Sequence, residues 1–156
     1  MIISFIAIVL NGLQGFFRFN IYNAGHIEFA FVSTILYMFT QTLIMFYFIG
    51  AGKKIKETII NYNLNKATYK EVIALKRVLF TPLTLNMLFV GTTFILGGAV
   101  HTGAVNKYWH SSLYFLSIIH YFNLLRIQHR SFIKNSEILS TVGKEYEELL
   151  LSNKEE

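Results

Sequence analysis

Three of the five histidines, His26, His101 and His110, stand beside long apolar segments of the sequence. Neutral imidazole nitrogens bind haem iron, copper and zinc. If the apolar segments cross a membrane, these histidines lie at the outer ends of the second, third and fourth spans. Imidazoles at equal depth on neighbouring helices can meet. The pattern predicts either one haem b held by His101 together with His26 or His110, or a copper or zinc ion held by all three.

The spacing of these histidines gives no local support for such a site. The H-E-x-x-H motif is absent, and no two histidines stand three or four residues apart. A cofactor site would therefore depend wholly on the tertiary structure. Alternatively, the three are amphipathic residues at the membrane–water boundary that are solvated on one side, as we expect for His129.

His120 is the histidine expected to lie deepest in the bilayer. At a rise of ~1.5 Å per residue from Tyr108, it lies ~18 Å into a hydrocarbon layer of ~30 Å. Ionisable groups at such depth often mark proton paths or substrate sites, which favours a proton or small-solute carrier centred on His120. Alternatively, His120 makes an interhelical hydrogen bond to Gln41, at similar depth, or to Asn86, somewhat nearer the cytoplasm.

The fourth apolar segment carries several of these polar residues on one side. Helical spacing places His110, Tyr114, Ser117 and Tyr121 on a common face, and His120 lies ~80° from His110 at ~100° per residue. The ten residues between the two histidines prevent one haem from binding both. Any haem is therefore expected at the outer level. The pair Gly97-Gly98 indicates either close helix packing or room for a flat macrocycle.

The elements that position these residues are predicted from composition and hydropathy. The chain has 156 residues, of which 53% are hydrophobic and 15% charged, with a mean hydropathy of +0.44. These values predict an all-α integral membrane four-helix bundle. The expected spans cover residues 2–18, 27–50, 82–100 and 108–126, the second ending at Gly50–Gly52 and the third opening at Pro82. A transmembrane helix is preferred to a signal peptide for the first, because no basic start or A-x-A site is present.

Two further segments are expected on the cytoplasmic side. Residues 51–81 predict a helical hairpin that breaks at Asn63–Asn65 and restarts with a capping box, Thr68-x-x-Glu71. Residues 131–156 follow the bundle of 1–130 and predict a C-terminal amphipathic helix and tail. The apolar side of that helix is expected to carry Ile133, Ile138, Leu139, Val142, Tyr146 and Leu149.

The distribution of charge sets the expected orientation and excludes several classes of function. Seven Lys and Arg residues lie between the second and third spans and five after the fourth, whereas Arg18 and Lys107 stand alone on the opposite side. Both termini are therefore expected in the cytoplasm. The net charge of +5 is explained by anionic lipid headgroups, and no nucleic-acid partner is expected. The chain has no cysteine and no aspartate, which excludes disulfides, thiolate sites and Ser-His-Asp triads.

Two segments of the chain are similar to a known group of proteins. Residues 45–53, MFYFIGAGK, and residues 94–103, FILGGAVHTG, followed by Trp109-His110, resemble small uncharacterised bacterial four-span membrane proteins. The resemblance implies this topology and the cytoplasmic (inner) membrane of a bacterium. It implies no activity.

Three functions are consistent with the sequence. The first is a non-catalytic membrane subunit or accessory protein that packs in a larger complex or against a second copy of itself. The second is an electron carrier that binds haem b, and the third is a membrane enzyme or a proton or small-solute carrier centred on His120 and Gln41. The absence of any acidic residue from the interior of a span disfavours the third and favours a protein that is not an enzyme.

Overall fold

The computed structural model describes residues 1–21 and 23–155, with side chains as far as Ser152. Within these ranges the chain forms four α-helices: α1 (Ile2–Phe17), α2 (His26–Asn61), α3 (Lys66–His101) and α4 (Lys107–Glu155). The described residues form no strand, and their one isolated bridge joins Ile21 to Ala24. The prediction of an all-α chain with four helices is confirmed.

Two of the helices, α2 and α3, are long and apolar enough to cross a membrane. Helix α1 is apolar but has only 16 residues. The first part of α4 holds the fourth expected span, but α4 is not selected on the same grounds. Its Tyr, His, Ser and Asn residues make it less apolar than the other long helices. The chain thus contains two candidate membrane-spanning helices by length and composition.

Helix α2 continues without a break through Gly50–Gly52, where the sequence predicted the second span to end, and reaches Asn61. Glycine inside a helix costs ~1 kcal/mol relative to alanine, which a packed helix tolerates. At Gly52 the missing side chain admits a neighbouring helix. A Cβ there would meet the Lys76 ammonium group and lie 3.0 Å from Val72 Cγ1. Gly52 therefore permits close approach and does not terminate the helix.

The break expected at residues 63–65 is confirmed, but the start of the next helix differs from the prediction. Helix α3 begins at Lys66, and Asn65 Oδ1 accepts the Ala67 N–H at 2.9 Å. Asn65, and not the Thr68 capping box, thus satisfies an unpaired donor of the first turn. Pro82 lies within α3 and does not open a helix. The backbone accepts the loss of one hydrogen bond because the helix is held on both sides of the proline.

Two compact units share these helices. Unit 1 comprises Met1–Leu43 and Pro82–Arg126, and unit 2 comprises Ile44–Thr81 and Ile127–Glu156. The interior of unit 1 is rich in polar and aromatic side chains, with Tyr37, Gln41, Asn86 and Tyr121 fully buried. Unit 2 has an aliphatic core made of Ile55, Ile59, Leu64, Val72, Ile138 and Val142.

The C-terminal residues of unit 2 form part of α4 and not a separate helix. Ile138 and Val142 are buried as predicted, but Ile133 and Leu139, expected on the same side, are exposed. Lys134 Nζ lies 3.3 Å from Glu71 Oε2. The hydrogen bond from Lys134 to Glu71 raises the pKa of its ammonium group, and the charge of Glu71 adds to that effect. The ion pair links the C-terminal segment to α3.

Candidate functional site

A cavity of about 1130 Å³ lies in unit 1, where α1 connects to α2 and α3 connects to α4. His26, His101 and His110 all line it. They come from the first residue of α2, the last residue of α3 and the first turn of α4. The structure therefore places the three histidines singled out by sequence around one space. Its volume is that of a site for a small organic molecule.

His26 is fixed by α1. Its Nδ1 lies 3.1 Å from the carbonyl oxygen of Asn11. A carbonyl can only accept, so Nδ1 carries the proton and Nε2 of the neutral ring keeps its lone pair. Gly15 makes room for the ring, since a Cβ at that position would lie 2.9 Å from His26 Cε1. Both features come from one turn of α1.

His110 is fixed in the same way by α3. Its Nδ1 lies 3.0 Å from the carbonyl oxygen of Thr93, so the lone pair again remains on Nε2. A Cβ on Gly97 would lie 3.2 Å from His110 Cε1, so the absence of a side chain at Gly97 leaves room for the imidazole ring. The Thr93 hydroxyl lies 3.1 Å from the Ser117 hydroxyl on α4, about two turns beyond His110. The segment that holds His110 is therefore itself hydrogen-bonded to α4.

These two imidazoles have the arrangement that metal ligands adopt in proteins. A ligating histidine usually donates its other N–H to a carbonyl or carboxylate, which fixes the ring and its tautomer. Among the described residues, Nε2 of His26 and of His110 has no hydrogen-bond partner, and neither atom is shut off from solvent. The two rings also lie close enough to interact electrostatically. His101 differs, because its side chain is exposed and makes no hydrogen bond within the described part of the chain.

A trio of ligands does not form in the described ranges. No three His, Cys, Asp or Glu side chains of residues 1–21 and 23–152 converge as they would around a metal ion. The copper or zinc ion expected for His26, His101 and His110 together therefore finds no assembled site there. Two of the three, His26 and His110, have a ring nitrogen held on a backbone carbonyl.

Charged residues also line this cavity. Arg18 follows the last residue of α1 and adopts the left-handed conformation, with φ 54°, while its N–H donates to the Gln14 carbonyl at 2.8 Å. Lys107 opens α4, and Glu28 lies in the first turn of α2. All three side chains are exposed. The remaining lining includes the aliphatic and aromatic residues Ile8, Phe16, Val90, Phe94 and Tyr114, together with glycines and uncharged polar residues.

The buried polar residues predicted in the spans, Gln41 and Asn86, belong to a hydrogen-bond network of unit 1 that reaches the cavity at Ser117. Asn86 Oδ1 accepts the Tyr37 hydroxyl at 2.6 Å, and Asn86 Nδ2 donates to the Ser117 carbonyl at 3.0 Å. Gln41 Nε2 donates to the Tyr121 hydroxyl at 3.1 Å. That hydroxyl also lies 2.9 Å from the Ser4 hydroxyl on α1. All four helices contribute to the network.

His120 is half-buried and has a different environment from the one expected. Its ring meets the Phe89 ring edge-on at 5.4 Å, and its Nδ1 is buried without a hydrogen-bond partner in the described part of the chain. The Gln41 N–H donates to Tyr121, one residue further along α4. Sequence reasoning placed Tyr121 on the shared face of α4 but missed its hydrogen bond to Gln41, and it missed Tyr37 altogether. Their spacing of four residues from Gln41 and from Ser117 was the available signal.

No protein family model, no curated protein and no solved structure matches this chain.

Proposed function

We propose that the chain is an integral membrane protein with four spans, both termini in the cytoplasm and a bacterial inner membrane as its location. The length and apolar character of α2 and α3 support membrane insertion. The charge distribution supports the orientation. Only Arg18 and Lys107 carry positive charge at the two short connections that meet at the cavity, whereas the segment from Lys53 to Arg77 holds seven basic residues. The cavity would then open at the outer side.

The function that this site supports best is that of a small membrane subunit that carries haem b and exchanges electrons. The observation that carries the proposal is the matched pair His26 and His110. Each donates Nδ1–H to a backbone carbonyl, and both residues line the same cavity. Neutral imidazole nitrogens are axial ligands of haem iron in proteins. The sequence alone favoured pairs that include His101, but His101 lacks the hydrogen bond that would fix its ring.

Other features of the cavity, besides the two histidines, also suit a haem group. Bound haem would supply one-electron exchange, and the chain would supply orientation and exclusion of water. Gly15 and Gly97 let the imidazoles lie close to the backbone, while Val90 and Phe94 form an apolar wall. An apolar wall around iron keeps water away and tunes its reduction potential.

The experiment is an absorbance spectrum of the full chain purified in mild detergent, oxidised and after dithionite reduction, with iron, copper and zinc measured on the same sample. We expect a Soret band, sharp α and β bands on reduction, and about one iron per chain. A colourless preparation that also fails to take up added haem would contradict the proposal.

A second candidate is an accessory subunit without a cofactor, which packs in a larger membrane complex or against a second copy. Large apolar side chains of α2 favour it, since Phe31, Phe39 and Phe46 are 56%, 61% and 64% exposed and need lipid or a partner helix to cover them. Co-purification of a defined partner with a colourless protein would support this function. A carrier centred on His120 has less support, because the one acidic residue of unit 1, Glu28, lies in the first turn of α2 and not in the interior of an expected span.

A further inference from the structure

We propose that Arg18 and Lys107 bind the carboxylate groups of the molecule in the cavity, which for haem b are its two propionates. This inference rests on the proposed function. Under this proposal, two residues other than the paired histidines recognise the edge of the ligand that carries the carboxylates. It also predicts which haem derivatives the site rejects.

The first argument is the placement of positive charge. Unit 1 contains three Lys and Arg residues, Arg18, Lys107 and Arg126, and the first two line the cavity. They come from the two connections that meet there, α1 to α2 and α3 to α4. Glu28 is the one acidic residue of the lining, so the cavity carries a net positive charge.

The second argument is that neither cation is already neutralised. Among the described residues, no carboxylate oxygen lies within 4.0 Å of the charged groups of Arg18 or Lys107. Lys107 Nζ lies 5.7 Å from the centre of the Tyr108 ring, a contact that leaves its N–H donors available. Both side chains can therefore turn to an anionic group without breaking an ion pair.

The third argument is the backbone of Arg18. The left-handed conformation that follows a helix is usually occupied by glycine, because a Cβ there is strained by about 1–2 kcal/mol. The chain has arginine at this position, with φ 54°. A guanidinium can form two parallel hydrogen bonds to one carboxylate, which the lysine ammonium group cannot. The chemistry of the two side chains therefore favours a two-point contact for Arg18 and a single charged contact for Lys107.

The test compares two ligands that differ only in the carboxylates. Full-length protein is made in cells that cannot synthesise haem, purified in mild detergent, and titrated with haem b or with its dimethyl ester while the Soret band is followed. We expect the wild-type protein to bind haem b about tenfold or more tightly than the ester, as charge-assisted hydrogen bonds imply. In Arg18→Gln/Lys107→Gln the preference should disappear, and the affinity for the ester should stay unchanged.

Arg126→Gln is the matched control, because Arg126 belongs to unit 1 but does not line the cavity. It should keep the full preference for haem b. Equal binding of the two ligands by the wild-type protein, or a preserved preference in the double variant, would overturn the role of Arg18 and Lys107 while leaving haem binding intact. Failure of both ligands to give a Soret band with the wild-type protein would instead overturn haem binding itself, and this inference with it.

Discussion

The Tyr37 hydroxyl donates to Asn86 Oδ1 over 2.6 Å, the shortest side-chain hydrogen bond described between two helices of unit 1. Both residues are fully buried, on α2 and α3. Asn86 Nδ2 in turn donates a hydrogen bond to the Ser117 carbonyl on α4. The ring of Tyr37 also meets that of Tyr121 edge-on at 4.9 Å. One amide and two tyrosines thus join three helices and find hydrogen-bond partners within the chain, as the proposed membrane spans require.

Removing the Tyr37 hydroxyl should therefore weaken unit 1 measurably. Tyr37→Phe keeps the ring but leaves Asn86 Oδ1 without its donor, and we expect a loss of about 1 kcal/mol in the free energy of unfolding. Equilibrium unfolding of the full chain in mixed micelles with increasing dodecyl sulfate measures it. Tyr108→Phe, at a residue that is 69% exposed, is the control and should change nothing. Equal stability of the two variants would show that the hydrogen bond contributes little.

Gly12 should be intolerant of any side chain. A Cβ at this position would lie within the ring of Tyr114, whereas a Cβ at Gly50 would meet nothing within 4 Å. Gly12→Ala must displace Tyr114 and should cost about 1–3 kcal/mol, as overpacking does. Gly50→Ala, also inside a helix, should cost nothing, because alanine is the better helix former. Thermal unfolding followed by far-UV circular dichroism compares them, and a neutral Gly12→Ala would refute the close α1–α4 contact.

The glycines beside the histidines should matter for haem uptake. In Gly97→Ala the new Cβ lies 3.2 Å from His110 Cε1, so the imidazole must shift, whereas Gly98→Ala meets nothing within 4 Å. Ligand geometry tolerates shifts of only about 0.5 Å, so we expect Gly97→Ala to weaken haem binding and Gly98→Ala to leave it unchanged. Soret titration of apo-protein gives both affinities. Equal affinities would indicate that His110 is not a ligand.

Unit 2 should depend on its aliphatic core. Ile55 is 1% exposed and packs in that core, while Ile60, five residues later on α2, is 61% exposed. Ile55→Ala should cost about 2–5 kcal/mol, and Ile60→Ala less than about 0.5 kcal/mol. Hydrogen exchange of the full chain, read by mass spectrometry on peptides from residues 53–81, locates the effect. Similar exchange in both variants would exclude an ordered core around Ile55.

The sequence predicted the elements better than their ends. Four helices, the breaks at residues 63–65 and 102–106, and the shared face of His110, Tyr114, Ser117 and Tyr121 on α4 follow from hydropathy and helical spacing. Hydropathy and spacing did not predict that α2 continues through Gly50–Gly52 or that α3 continues through Pro82. A glycine that stops a helix and one that admits a neighbour look alike until the neighbour, here Lys76, is placed.

The same limit applies to the site. That three histidines reach one cavity was predictable, because their distances from the segment ends give equal depth. The sequence could not predict which two histidines have Nδ1 held on a backbone carbonyl, because the carbonyls belong to Asn11 and Thr93 on other helices. Gln41 and Asn86 were both considered as partners of His120; Gln41 Nε2 donates to Tyr121, the next residue on α4, whose side chain is rotated by ~100° from that of His120.

Histidine variants of the haem-loaded protein test the central proposal most directly. The reduced and oxidised spectra of His26→Ala and His110→Ala should lose the low-spin α and β bands, and added imidazole should restore them by filling the space left by the ring. His101→Ala and His129→Ala should keep the wild-type spectrum. Retention of the low-spin bands by both His26→Ala and His110→Ala would contradict haem ligation by this pair, and loss in His101→Ala alone would return the site to the pairing that the sequence favoured.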